Sequence, residues 1–394
     1  MREFFRLLKR EFKLFLGNAT LRSVFFLAPV LYATLLGFVY KSGKVENTPV
    51  IVIDKDNTPL SNQLVEMLGD NRSIKVLKYL QDPAEINDEV IRRNAAAVVR
   101  IPSRFEADIL QKKYPEVNVY VNTGNVLTAN FASKALQLTI GTFSAGVSIK
   151  ALQKMGMPAP RAVTQYEPFK TNYITLFNTT SNYLIFMWPA MLAVVLQQVI
   201  LLAMAVSFAT EFQRGSFMSE YQHMRRWAFP IMLIKVIPIW TFSILIVSVY
   251  YLMHILFHVP LPEGILNFIW LTAFFVGSAS FMGVFVSILI PDALKATQVL
   301  MIIASPAFIV SGFTWPLNAM PVFVQFLASI IPLTPFLQAF KILLIQKGAV
   351  TLTYPYIKHL GILLLVYAFL GWLALKIKLW LMYRSAPTGN MKED

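Results

Sequence analysis

Long apolar runs separated by short charged segments dominate the chain. Leu21–Tyr40, Tyr183–Ala209, Ile231–Met253, Phe268–Ile290, Leu300–Phe313 and Ile357–Leu375 each read as one such run. About 20 apolar residues in a helix cross the hydrocarbon of a bilayer, so the pattern predicts six spans. The first is open to a kink at Pro29, and the fifth is short and carries Pro306 and Gly312. Met1–Leu16 has another period: Phe4, Leu8, Phe12 and Phe15 share one helical face, with Arg2, Arg6, Lys9 and Lys13 largely on the other. That is the pattern of a helix lying in the membrane interface, and its recurrent charges argue against a cleaved signal peptide. Between Thr314 and Tyr356 the chain stays apolar but carries Pro316, Pro321, Pro332, Pro335 and Pro355. Each proline removes a backbone donor and blocks the preceding turn, so short re-entrant helices packed against protein are expected here rather than one straight span.

Lys41–Thr175 reads as a water-soluble domain, holding 13 of the 21 acidic residues. Strand-like runs at Val50–Ile53, Ile74–Leu77, Ala96–Ile101 and Val117–Val121 alternate with helical segments after Thr58, near Pro83–Arg93 and at Ser103–Gln111. Such alternation predicts a small α/β domain, with Ala129–Met155 as a long helix leading back toward the membrane. The expected organisation is an interfacial helix (1–20), a first span (21–40), an α/β domain (41–175), a membrane domain with five further helices and a proline-rich re-entrant segment (176–383, with 314–356), and a tail (384–394).

Charge sets the expected orientation. Six Lys or Arg residues precede or open the first span, the loop Glu211–Trp227 carries Arg214, Arg225 and Arg226, and Lys376, Lys378 and Arg384 follow the last span. The connection His254–Asn267 has no Lys or Arg. Short basic loops stay in the cytoplasm, which puts both termini inside and residues 41–175 outside. The formal charge of +14 is spread over membrane flanks and a mixed-charge domain, which points to lipid headgroups and not to nucleic acid.

Candidate chemistry is sparse. With 56% hydrophobic residues and no cysteine, the chain offers neither the composition of a soluble enzyme nor disulfides or thiolate metal sites. His254 and His258 are four apart, but only Glu263 is near as a third ligand, so an interfacial polar pair is favoured over a metal site. Gly37–Lys44 (GFVYKSGK) lacks the spacing of a phosphate loop and begins inside a span. The apolar runs contain no carboxylate of the kind that marks ion-coupled transport, leaving Gln197 and Gln198 as the most polar groups in a span centre, fit for interhelical hydrogen bonds or substrate contact.

Four segments together resemble the permease subunits of type 2 ABC exporters, in the branch with a large extracytoplasmic domain between spans one and two. They are the basic amphipathic start, the pair VIDKDNTPLSNQLVEML and AAAVVRIPSRFEADI, the loop with Glu211, Gly215, Ser216 and Glu220, and the late SGFTWPLNAMP and IPLTPFLQAFK. The resemblance implies a non-catalytic permease in a bacterial inner membrane, exporting an amphiphilic or hydrophobic substrate. ATP and Mg would be bound by separate cytoplasmic ATPase subunits, and a second permease, identical or related, would complete the path. It also implies that Glu211, Arg214, Gly215, Ser216 and Glu220 form a coupling loop docked on the ATPase, with room for a periplasmic adaptor and an outer-membrane channel. The chain departs from the family at Phe217, where the coupling helix often continues with an acidic or aliphatic residue, and at Lys341, where many members have arginine. The alternative is a membrane-anchored ligand sensor or scaffold; a secondary transporter would need a gradient-driven flux without ATP.

Overall fold

The computed structural model describes residues 2–79, 86–167, 169, 171–224, 227–261 and 264–384. The chain forms two compact units, one of Met1–Gly43 with Thr175–Asp394 and one of Lys44–Ile174. The first unit begins with α1 (Arg2–Gly17) and α2 (Ala19–Val39). Asn18 separates them; its side chain accepts from the Leu21 amide and caps α2, satisfying a donor that the first turn leaves free.

The second unit contains, in order, β1 (Thr48–Asp54), α3 (Pro59–Gly69), β2 (Ile74–Tyr79), α4 (Ile86–Arg92), β3 (Ala97–Ile101), α5 (Phe105–Leu110), β4 (Asn118–Val121), α6 (Val126–Lys154) and α7 (Ala159–Tyr166). The sheet order is β2-β1-β3-β4, with β1 parallel to both neighbours and β4 antiparallel to β3. The VIVI run explains why β1 is central: Val50 and Val52 pack with Leu64 and Leu68 of α3 and Leu136 of α6, while Ile51 and Ile53 pack with Val98, Ile86 and Val90. A strand covered on both faces has no reason to alternate. Thr58 caps α3 reciprocally with Ser61, as the Thr-Pro pair requires. Asp56 Oδ2 accepts from Thr58 Oγ1 at 2.6 Å and from the Glu106 amide at 2.9 Å, joining the β1–α3 turn to the start of α5. Burial works against the Asp56 charge, but the hydrogen bonds from Thr58 and the backbone at Arg104–Glu106 outweigh it and hold the carboxyl below its ordinary pKa. Of the expected Pro83–Arg93 helix, residues 83–85 lie outside the described residues, and α4 covers Ile86–Arg92.

The first unit resumes with α8 (Tyr183–Arg214), α9 (Phe217–Glu220), α10 (Ala228–Leu256), α11 (Ile265–Leu289), α12 (Ala293–Ala304), α13 (Ala307–Val310), α14 (Val322–Ile330), α15 (Leu333–Phe340) and α16 (Tyr354–Arg384). Among the described residues seven helices are long and apolar enough to cross a membrane: α2, α6, α8, α10, α11, the stretch 293–310 and the stretch 350–382. The seventh beyond the expected six is α6, whose Ala132, Ala135, Leu136 and Phe143 pack in the sheet's core. The fifth run is broken at Ser305-Pro306 into α12 and α13, as proline inside a helix dictates. Val322–Ile330 and Leu333–Ile345 meet at a bend of 90°. Pro321 and Pro332 stand at the N-caps of α14 and α15, where a missing N–H costs nothing.

Buried residues make up 83% of the span window in α11 and 72% in α8, against 22% in α2, so α8 and α11 form the centre of this unit. Lipid is as apolar as leucine, so spans associate through close packing of small residues. At Gly283 of α11 an added Cβ would lie 2.5 Å from the Met204 Cβ of α8. Elsewhere Trp188 Nε1 donates to the Ala33 carbonyl at 2.8 Å, tying α8 to α2, and the Tyr367 hydroxyl donates to Ile330 O at 2.7 Å, tying α16 to α14.

Gly283→Val should push α11 off α8 and destabilise the purified protein by about 1–3 kcal/mol, read as a lower unfolding midpoint in detergent. Asp56→Asn should also lower that midpoint. Because the folded-state pKa of Asp56 lies below 3.8, its contribution is complete above that value. The difference from wild type should therefore be full at pH 6 and shrink as pH falls through the folded pKa.

Candidate functional site

The end of α8 and the loop after it hold the densest polar cluster of the first unit. α8 stops at Gly215, whose φ of 68° is left-handed and free of strain only in glycine. The turn places Ser216 N within 3.1 Å of the Glu211 carbonyl. α9 then returns Phe217 and Tyr221 to the interior, where they stack at 4.9 Å, with Phe212 4.7 Å from Phe217. Phe217 is an aromatic anchor for the loop, which accounts for the departure from the family pattern at this position.

Lys235, in the second turn of α10, has a side chain only 2% exposed. An enclosed ammonium requires counter-charge, and two carboxylates supply it: Glu211 Oε1 at 2.9 Å and Glu11 Oε1 at 3.0 Å. Arg10 Nη1 donates to the same two oxygens, each at 3.0 Å, and Arg10 Nη2 reaches Glu220 Oε1 at 3.2 Å. The Tyr221 hydroxyl donates to Glu11 Oε1 at 3.1 Å, and Lys235 Nζ lies 5.6 Å from the Tyr221 ring and 5.7 Å from that of Phe208. Three carboxylates thus face two cations, and Glu211 Oε2 is buried without a hydrogen-bond partner. Burial works against the charge of Arg10, but its hydrogen bond to Glu211 and the charges of Glu211 and Glu11 raise its pKa. Burial, then the charges of Glu11 and Glu211, push the Tyr221 phenol well above its ordinary value, so it stays protonated as a donor.

Two further contacts tie this region to the other helices. Ser287 of α11 donates to the Ala205 carbonyl at 2.8 Å and accepts from the amides of Phe208 and Ala209, each at 3.0 Å, inserting its hydroxyl into the last turns of α8. Lys378 of α16 donates to the Ile288 carbonyl at 2.8 Å and lies 3.7 Å from the Phe212 ring centre. A cation at the C-terminal end of α11 is favourably placed against the helix dipole.

The residues singled out from the sequence take different places. Glu211 is buried and turned inward; Glu220 is half-buried and paired with Arg10; Arg214 and Gly215 are exposed, and Ser216 is half-buried. Arg225 and Arg226 lie outside the described residues, as does Glu263. Gln197 is 1% exposed with its amide oxygen unpaired, whereas Gln198 is half-buried. His254 is enclosed and hydrogen-bonded through Nδ1 to the Tyr250 carbonyl, and no group of potential metal ligands gathers among the described residues. Sequence reasoning missed Arg10, Glu11 and Lys235. The available signal was Lys235, a lone charge in an apolar run, which demands a carboxylate at the same depth. The N-terminal helix also differs from expectation: Phe15 stacks on Phe242 of α10 at 4.7 Å, with Phe12 5.5 Å from the same ring. Part of the face expected to meet lipid meets protein instead.

Breaking a buried pair leaves the survivor uncompensated, so Glu211→Gln and Lys235→Met should each destabilise the protein by about 3–5 kcal/mol. The double variant should recover a large part of that loss in a double-mutant cycle of unfolding midpoints, whereas simple additivity would show that the two charges act independently.

The arrangement contains no nucleophile–base pair and no phosphate cradle among the described residues; it is a set of ionic and aromatic ties between a surface loop and the ends of several long helices. Comparison with curated proteins returned no match. A family described as ABC-2 family transporter protein matches residues 20–376, which covers the whole Lys44–Ile174 unit and runs from the first turn of α2 into α16. The chain belongs to the ABC-2 transporter family, as a multi-pass membrane protein of its permease type.

Proposed function

We propose that this chain is the membrane-spanning subunit of an ATP-driven exporter, moved by ATP hydrolysis in a separate cytoplasmic subunit that carries ATP and Mg. In this reading α2, α8, α10, α11, α12–α13 and α16 are the six spans. The Lys44–Ile174 unit lies outside a bacterial plasma membrane, and both termini and the 215–227 loop lie in the cytoplasm. Arg214, the last residue of α8 before that loop, and the bases of α1 support this orientation. The helix α6 is assigned to the outer unit because its Ala132, Ala135, Leu136 and Phe143 are buried in one cluster with Val50, Val52 and Val99 of the sheet.

The observation that carries the reading is the ionic cluster joining the loop to α1, α8 and α10. An ATPase pressing on the exposed Gln213, Arg214, Gly215, Ser219 and His223 would meet a loop that cannot yield alone. The push would pass through Phe217 and Tyr221, through Arg10 and Lys235, and through Ser287 and Lys378 to α11 and α16. Glu211 then serves as the internal tie of the coupling loop and not as its outer contact, while Glu220, 39% exposed, can do both. A second permease would pair with this one along spans that expose apolar surface. On α2 these are Leu27, Leu31, Leu35 and Phe38, at successive turns of one helix. Gln198 is better placed than the enclosed Gln197 to face a path formed between two subunits. The cargo would be amphiphilic or hydrophobic, released on the side of the α/β unit, which could engage a periplasmic adaptor leading to an outer-membrane channel.

Reversing the charge of an exposed loop residue should weaken docking without unfolding the chain. Arg214→Glu combined with Ser219→Glu should cut the ATPase retained in co-purification by about tenfold or more, with the unfolding midpoint unchanged. Full retention together with wild-type transport in vesicles would remove the docking assignment.

A further inference from the structure

A chamber of about 870 Å³ opens among α8, α10, α11 and α15, with Leu364 of α16 at its edge. Its size falls in the range of about 300–1,000 Å³ typical of small-molecule sites. Neither Gln197 nor any residue of the ionic cluster lines it. Pro189, inside α8, stands on its wall, and Pro238 precedes the lining residue Trp240 by two positions in α10.

Among the described residues the lining contains no Asp, Glu, Lys or Arg and is overwhelmingly carbon. One wall is different. Trp240, Ser243, Val247, Tyr250 and His254 recur at three- and four-residue spacing, so one face of α10 turns toward the chamber. On that face Trp240 Nε1, Ser243 Oγ and Tyr250 OH are all enclosed, and none has a hydrogen-bond partner. Ser243 is 2% and Tyr250 7% exposed. Hydroxyls nearby behave otherwise: Thr241 donates to Ile237 O at 3.0 Å, Ser248 to Ile244 O at 2.9 Å and Thr272 to Phe268 O at 2.8 Å. Returning the proton to the preceding turn is the usual resort of a hydroxyl in a span. Ser243 has the same recourse and does not take it.

We propose that this chamber binds one neutral amphiphile, an apolar body bearing ester, carbonyl or hydroxyl oxygens that accept hydrogen bonds from Trp240, Ser243 and Tyr250. An anionic headgroup is excluded because the wall offers no cation to pair it, and an unpaired buried charge is far costlier than an unpaired hydroxyl. Water is a poor substitute, because a buried water needs about two to four polar partners and most of this lining is carbon. The occupant is either a neutral two-chain lipid of the bilayer or a free single-chain amphiphile, which share this chemistry. The assignment does not depend on partnership with an ATPase.

The test uses the full chain alone in detergent, with quenching of tryptophan fluorescence as the readout, because Trp240 and Trp270 line the chamber. The probes are dibrominated dioleoylglycerol, methyl dibromostearate and, as the charged control, dibrominated phosphatidylglycerol. Saturable quenching is expected from at least one neutral probe, and which of the two binds identifies the source. Ser243→Ala with Tyr250→Phe keeps both tryptophans and nearly the same volume, and should weaken the affinity at least tenfold with an unchanged unfolding midpoint. Ala193→Phe, which fills part of the chamber without adding a fluorophore that the readout would detect, should abolish saturation. Quenching that never saturates, that phosphatidylglycerol matches, or that the double variant retains in full would overturn the proposal.

Discussion

A lysine ammonium withdrawn from water near the start of a long apolar helix cannot stand alone. Lys235 is such a group, and the demand it makes organises one whole end of the first unit. Its two carboxylates come from helices distant in sequence, Glu11 from α1 and Glu211 from the last turn of α8. Meeting that demand draws α1 against α10, sets the depth at which α8 ends and leaves Arg10 to balance the surplus negative charge. Phe15 on Phe242 and Phe217 on Tyr221 then exclude water around the cluster. Exclusion of water is what makes these pairs strong, because charges that share a low-dielectric site are scarcely screened by salt.

The rest of the unit is built by shape more than by charge. Spans gain little from hiding apolar surface from one another, so their contacts depend on small residues and on the few polar groups able to bridge helices. Gly283 lets α11 approach α8, and Ser287, one helical turn on, substitutes its hydroxyl for part of the backbone ladder of α8. Not every contact is close: a chamber opens between α8, α10 and α11 beside Pro189. α10 takes part in both, with the ionic cluster near its beginning and an unpaired polar stripe further along it.

The elements themselves were largely legible in the residues. The uninterrupted VIVI run marked a strand covered on both faces, Thr58 with Pro59 marked a capped helix start, and the clustered prolines of 314–356 marked a segment that turns through 90° rather than running straight. Each is a local property, set by backbone sterics or by hydrogen bonds between near neighbours. The family followed from order and spacing of such local features, and the match over residues 20–376 rests on the same information.

What the sequence settled, then, is roughly where most of the long helices and the strands lie and that the chain resides in a membrane, because length, proline and charge act within a few residues of themselves. Tertiary structure alone decided the meaning of individual polar groups. Glu211 and Arg214 stand three apart in one helix, yet one is sealed against Lys235 and the other faces outward. Ser243 and Ser248 share a helix, yet only the second finds its carbonyl. Partnership at such positions depends on which distant residue arrives, and arrival is a property of the packed chain, not of any short stretch within it.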